Sequence, residues 1–461
     1  MNRLLLKVPG PIAVTIAQPN QRMRRTDAGI CRPARTVSVA RRAAVAALAA
    51  AAAILTVSCA STGPVPEPRG ALAGAALPVA DEVRAVWVVR QSLSSPAAAR
   101  EVVEQAAAGG FNTLIVQVRG RGDALYRSAV EPRPEFLDGQ PDFDPLQLVL
   151  DEAHARGMAV HAWVNAYLVW GPVDPPRHPG HLVNAHPEWL AVPYALGRDL
   201  YHVDPRDPSY VRRLIEYSAA NIEVVEGLYT SPSHPGVQER LHGVWMELAA
   251  GYELDGIHHD YIRFATSAFD YSRTTLERFQ AWVEPRIAAH RHAALLAAAR
   301  DDPYAFAEAL PDQWDRFRRD SVSDLVRRVH LDVKERRPEL VVSAAVLPEW
   351  RGAARWNLQE WTSWLAEGTL DVAVPMAYTT DTEEFHRWVD SALAAAGSPD
   401  RIWAGVGAYR NPTDLTVEQI DQARAIGVGG VVLFSYDKPT ETSPPDGAPA
   451  ALRRIGLAAF R

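Results

Sequence analysis

The stretch Leu254-Asp255-Gly256-Ile257-His258-His259-Asp260-Tyr261-Ile262-Arg263-Phe264 sets two carboxylates, two imidazoles and a guanidinium into an otherwise apolar run. Read as a strand, its alternation puts Gly256, His258 and Asp260 on one side and Asp255 on the other. A carboxylate at the C-terminal end of such a strand, beside His258 and Arg263, has its pKa set by burial and by those neighbours, which is what acid–base catalysis requires. Asp255 starts the strand with opposite parity and reads as a structural cap. A second run ends in Gln117-Val118-Arg119-Gly120-Arg121-Gly122-Asp123, where alternation gives Gln117 and Arg119 the same side. A third gives His161, Trp163 and Asn165 one parity. Such polar and aromatic sets on neighbouring strands suit a carbohydrate, whose hydroxyls need fixed donors and acceptors and whose faces stack on Trp. Asp123 has a second reading, as half of a loop-locking ion pair with Arg119.

Positioning these groups falls to eight β-branched runs, at residues 83–90, 113–119, 159–165, 256–261, 340–346, 372–378, 402–409 and 430–436, separated by amphipathic stretches. Each run is apolar nearly throughout, as strands of a parallel sheet covered on both faces must be. The repeats predict an α/β fold, a single (β/α)8 TIM barrel over residues 83–461, with its site at the C-terminal ends of the strands. A doubly wound sheet would call for a glycine-rich phosphate loop, and none follows any run. Residues 204–253 and 265–338 exceed one barrel helix. They are expected to be helical insertions after strands 3 and 4, the second walling the cleft.

With 48% hydrophobic and 22% charged residues, the 461-residue chain can bury a large core. Its two cysteines, Cys31 and Cys59, exclude a disulfide scaffold and a cysteine-based zinc site. Residues 1–59 hold nine Lys or Arg and one acidic residue, which leaves 39 basic against 54 acidic residues in the remainder. Nucleic acid is therefore a poor partner. Basic residues up to Arg42 precede an apolar run, 43–57, of signal-peptide length and too short to span a membrane. The run closes on Leu55-Thr56-Val57-Ser58-Cys59-Ala60, which resembles a bacterial lipoprotein cleavage box. Residues 1–59 are thus expected to be a signal segment, Cys59 the lipidated residue, 60–82 a flexible tether, and the exported protein anchored to an envelope membrane through lipid. A plain secretory signal is the alternative.

The segments Arg84-Ala85-Val86-Trp87, Gln117-Val118-Arg119, Gly122-Asp123-Ala124-Leu125-Tyr126-Arg127-Ser128, His161-Ala162-Trp163-Val164-Asn165, 255–263 and Pro375-Met376-Ala377-Tyr378 together resemble the glycosyl hydrolase-like family 10 proteins, over roughly 83–436. The resemblance implies a (β/α)8 glycoside hydrolase, often an envelope lipoprotein, acting on amino-sugar glycan, including peptidoglycan strands stripped of their peptides. The fourth run is more distantly similar to the family 18 chitinase strand that reads DGxDxDxE. Asp260 matches its last aspartate, His258 replaces the middle one, and Ile262 stands where the catalytic glutamate would be. Met376-Ala377-Tyr378 is similar to the chitinase M-x-Y, whose tyrosine contacts the acetamido group.

A glycosidase needs an acid and normally a second carboxylate. Asp260 is expected to be the acid or the group orienting the acetamido. For the second, Glu349, Asp381 and Asp437 each follow a strand; Glu349 ranks first because its strand adjoins that of Asp260. Gln117, Arg119, Asp123, His161, Trp163, Asn165, His258, Arg263, Tyr378 and Tyr436 are the expected polysaccharide-binding residues. No HExxH or clustered ligand spacing occurs among the 14 histidines, so neither metal nor cofactor is expected. Two functions stay open, an anchored glycoside hydrolase and a non-catalytic glycan-binding lipoprotein with the same cleft. Ile262 in place of glutamate favours the second, and Asp260 with Arg263, Asn165 and Tyr378 favours the first. A polysaccharide deacetylase would need a metal set that is not found.

Overall fold

The computed structural model describes residues 82–437 and 448–460. The signal segment, Cys59 and the tether up to residue 81 lie outside them. The eight apolar runs are the eight strands of a closed parallel barrel: Val83–Val88, Thr113–Arg119, Ala159–Asn165, Gly256–Asp260, Val341–Val346, Val372–Ala377, Trp403–Val406 and Gly430–Leu433. The first pairs with the last, Val83 opposite Gly430. Alternation sorts the side chains. Val86, Leu114, Val160, Ile257 and Val342 pack outward under the helices, while Ala85, Trp87, Ile115, Trp163, Ala345 and Val374 fill the interior.

Helix starts follow local chemistry. Ser95, Asp144, Asp207 and Asp381 accept first-turn amide hydrogen bonds and open helices Pro96–Ala108, Pro145–His154, Pro208–Ala220 and Thr382–Ala396. Asp255 is the strand-base cap expected of it: its carboxylate accepts from the Val160 amide at 2.8 Å and lies 2.9 Å from His154 Nε2.

The long connections are insertions, with different bounds from those expected. Helices Pro235–Gly251 and Pro311–Arg336 bury Val237, Leu241, Val244, Val322, Leu325 and Val329 in the layer outside the strands, so both belong to the barrel's ring. The inserted chain is therefore 166–234 and 261–310. Periodicity shows that a helix has an apolar face but not what that face covers, which is why the bounds were misplaced. The first insertion pairs Leu168–Trp170 antiparallel to Leu228–Tyr229 and has its own core around Val169, Leu182, Leu190 and Leu214. The second is built around Leu276, Phe279 and Tyr304, which pack on Trp314 of the ring helix Pro311–Arg336. Asp270 joins them by accepting from the Val192 amide at 2.7 Å, and Tyr304 by donating to the Tyr194 carbonyl at 2.7 Å. At that junction a Cβ on Gly197 would lie 2.1 Å from the Tyr304 hydroxyl, so only glycine fits.

Candidate active site

In the pairing of the third and fourth strands, Trp163 lies opposite His258 and Asn165 opposite Asp260. The chain leaves the fourth strand through Tyr261 at φ 48°, a left-handed conformation that costs a bulky residue about 1 kcal/mol or more. From there the Tyr261 amide donates to Asp260 Oδ1 at 2.7 Å. Asp260 Oδ2 accepts from the Trp163 indole N–H at 3.0 Å, and the same N–H reaches Asn165 Oδ1 at 2.8 Å. Gln117 donates to Asn165 at 3.3 Å, and Asn165 donates to the Gly120 carbonyl at 3.0 Å. Aromatic rings complete the interior mouth. Tyr378 stacks on Phe434 with centroids 5.5 Å apart, and Trp87 stands edge-on to both.

Asp260 is 7% exposed. Burial pushes its carboxyl up to about 6, against the Tyr261 amide, the Arg263 charge and the Trp163 N–H, while the Glu226 charge adds to the rise. Glu226, from the first insertion, binds Arg263 Nη2 at 2.9 Å and accepts the Tyr229 hydroxyl hydrogen bond at 2.6 Å. Burial would raise Glu226 as well, but Arg263 and Tyr229 overcome it and hold the carboxyl below its usual value. The Arg263 guanidinium also lies 4.9 Å over the Tyr261 ring. Two carboxyls in one neighbourhood are thus driven apart, the arrangement that separates an acid from an ionised partner. By the observed bounds the second insertion, 261–310, brings Tyr261 and Arg263 to Asp260, and the first brings Glu226.

Gln117, Trp163, Asn165, Asp260 and Tyr378 come together, with Arg263 joining through Glu226 and Tyr261. The other expected residues lie elsewhere. Arg119 does not share the side of Gln117, because the pairing register shifts between them. Its fully buried guanidinium pairs with Glu131 at 2.8 Å outside the barrel. Asp123 is an ion-paired loop residue, but its partner is Arg90 and not Arg119. His258 is fully buried beneath Asp260. Its Nε2 accepts from the Trp87 indole N–H at 3.2 Å, so the proton sits on Nδ1 and is directed at Ser343 Oγ, 2.9 Å away. Burial holds His258 neutral, and His161, lower still against Trp403, is held down at about 4 by burial. Tyr436 packs in the outer layer, since the last strand ends at Leu433 and Phe434 takes the interior position. Glu349 is exposed and caps helix Trp350–Trp356 through the amides of Arg351 and Gly352. Asp381 caps a helix in the same way, and Asp437 accepts from Ser435 Oγ at 2.7 Å. Among the described residues, no three His, Cys, Asp or Glu side chains stand close enough to hold a metal.

Residues 82–417 match the family model described as Glycosyl hydrolase-like 10. The chain belongs to this family. Glycosyl hydrolase DigH of Escherichia coli (strain K12) is 25% identical to it over 412 residues, 77% of this chain and 81% of DigH. Glycosyl hydrolase YngK of Bacillus subtilis (strain 168) is 24% identical over 334 residues, and the chain spans only 54% of YngK. Among solved structures, the PgaB (BpsB) glycoside hydrolase domain from Bordetella bronchiseptica aligns with a TM-score of 0.52 and 17% identity, covering 81% of this chain and 98% of that one. Gan42B, a GH42 β-galactosidase from G. stearothermophilus, aligns with a TM-score of 0.54 and 14% identity, over 82% of this chain and 57% of that one. At such identities the structural likeness shows the fold, which is the expected TIM barrel. Family and curated relatives give the enzyme class, a glycoside hydrolase.

Glu226, Tyr261, Trp87 and Phe434 were missed as site residues. Parity with Ala85 was a usable signal for Trp87. None existed for Glu226, which lies between elements of an insertion without strand or helix periodicity.

Proposed function

We propose that this enzyme is an envelope-anchored glycoside hydrolase that cleaves an amino-sugar glycan, with peptide-stripped peptidoglycan strands as the polymer, and that Asp260 is its proton donor. The observation that carries the reading is the buried Asp260 carboxyl at the C-terminal end of the fourth strand, raised to about 6 and walled by aromatic rings. Breaking a glycosidic bond needs a proton on the leaving oxygen, and an acid with a pKa near the working pH both holds that proton and releases it. Glu226 keeps Arg263 engaged, and its charge adds to the rise that keeps the proton on Asp260. The rings of Tyr378 and Phe434 offer apolar surface to sugar faces, with the buried Trp87 packed beneath them. By the chitinase likeness, the Tyr378 hydroxyl is the contact for an acetamido group.

Ile262 bears on the non-catalytic alternative. It is fully buried in the apolar layer outside the strands, so its position is not one from which the cleft has lost an acid. Anchoring rests on the cleavage box at Cys59.

The deciding experiment incubates the purified enzyme with glycan strands, with and without stem peptides, and measures new reducing ends. Wild type should release fragments, and Asp260→Asn should do so on the order of 100- to 10,000-fold more slowly. Full activity in Asp260→Asn would remove the assignment. Binding without fragments from any amino-sugar polymer would make the protein a glycan-binding module. In cells, Cys59→Ala should shift the protein from the membrane fraction to the soluble exported fraction, and unchanged fractionation would refute the anchor.

A further inference from the structure

We infer that Arg121 is the receptor for a carboxylate substituent on the glycan, borne by a sugar bound beside Asp260. The inference rests on the reading of this cleft as a glycan site. Arg121 is half-buried in the loop after the second strand, and its backbone is pinned at both ends. Its amide donates to Asp123 Oδ1 at 3.1 Å, and its carbonyl lies 2.6 Å from His181 Nε2. The loop turns at Gly122, φ 69°, where a Cβ would come 3.0 Å from His181. The backbone is thus fixed, yet among the described residues the Arg121 guanidinium makes no hydrogen bond and no ion pair of its own. The groups that act on it are Tyr261, Arg90, Asp123 and Tyr229.

The charges around it do not balance. Asp123 is the one carboxylate among those groups, and both its oxygens are taken by Arg90. Glu226 is taken by Arg263. Tyr229 and Tyr261 are held uncharged by burial, and burial holds His181 toward its neutral form. When Asp260 carries its proton as a general acid, Arg90, Arg121 and Arg263 face only Asp123 and Glu226, and the Arg121 charge is the one without a counterion. A partly desolvated cation without a counterion is costly, and burial lowers the Arg121 pKa accordingly. A planar guanidinium on a fixed backbone matches a carboxylate in two parallel hydrogen bonds. Amino-sugar glycans carry such a group either as an acid-bearing ether substituent or as the ring carboxylate of a uronic acid.

The test uses oligosaccharides of equal length bearing a free ether-linked carboxylate, the same group as its carboxamide, or a uronic acid. Wild type should favour the free carboxylate over the carboxamide by about 10- to 100-fold in kcat/KM, most of it in KM, the range for a hydrogen-bonded charge pair. Preference for the ether acid over the uronic acid, or the reverse, identifies the source. In Arg121→Gln the ratio should collapse to about 1, and in Arg121→Lys part of it should persist. Added salt should narrow the wild-type ratio. Dissociation constants for the same set, measured on Asp260→Asn, read the same selectivity without turnover. If no strand is cut, the hydrolase reading fails alone. Equal binding of carboxylate and carboxamide, or a ratio that survives in Arg121→Gln, overturns the inference even where hydrolysis is seen.

Discussion

Aspartates stand at both ends of this barrel, and their surroundings move them in opposite directions. At the base, the Asp371 carboxylate accepts from the Val342 amide at 2.8 Å and pairs with Lys334 at 2.7 Å, with His330 at 3.3 Å. Burial pushes it up, but His330, Lys334 and the amide together hold it down at about 2. At the mouth, Asp260 has two neutral donors and only part of a cation, because Arg263 is engaged with Glu226, and burial wins at about 6. The residue type is the same, and the outcome is decided by whether the donors outweigh desolvation. One end of the barrel uses its carboxylate to hold strands, and the other keeps a proton available for chemistry.

The consequences for stability have opposite signs. A depressed Asp371 stabilises the fold above the unfolded-state pKa near 4 and loses that contribution as pH falls through about 2. A raised Asp260 costs folding free energy above pH ~4, and the cost reaches its full size above pH 6. The shift from 3.8 to about 6 bounds that cost at about 3 kcal/mol.

The largest expected effect is therefore double-edged. Asp260→Asn should lose on the order of 100- to 10,000-fold in turnover while gaining thermal stability at pH 7, a rise in Tm of about 1–2 °C for each 1 kcal/mol recovered in a domain of this size. The gain should vanish at pH 4, where the wild-type carboxyl is protonated. A lower Tm at pH 7 would show that the residue holds the structure as Asp371 does. Next in size, Glu226→Gln removes a charge that raises Asp260 and frees Arg263 to lower it. Turnover should fall roughly 10- to 100-fold, and the pH profile should move to lower pH; an unmoved profile would uncouple the two carboxyls. Asp371→Asn should cost about 1 kcal/mol near neutral pH in denaturant titrations, discounted for its partial exposure. Turnover per folded molecule should stay within about twofold. The smallest change is Glu349→Gln, which weakens a helix cap worth about 0.5–1 kcal/mol. A 100-fold loss of turnover in that variant would return Glu349 to the role of second carboxylate.

What was legible in the sequence followed from regularity. Strands covered on both faces must be apolar throughout, so all eight could be read from 83–90 to 430–436. Alternation then placed Gln117, Trp163, Asn165 and Asp260 together, since each lies where its strand is regular. It failed at Arg119, across a register shift, and at Tyr436, beyond the end of its strand. His258 has the correct parity but lies one layer too deep, between Trp87 and Ser343, because parity says nothing of depth. Glu226 was illegible for a different reason. Its place depends on the pairing of Leu168–Trp170 with Leu228–Tyr229, a contact between segments distant in sequence.

The pH dependence of kcat/KM for the wild-type enzyme on amino-sugar glycan tests the central claim most directly, because a general acid works only while it holds its proton. The rate should fall about tenfold per pH unit on an alkaline limb with an apparent pKa near 6, the value to which burial raises Asp260. A rate that stays level or rises from pH 6 to pH 9 would contradict Asp260 as the proton donor.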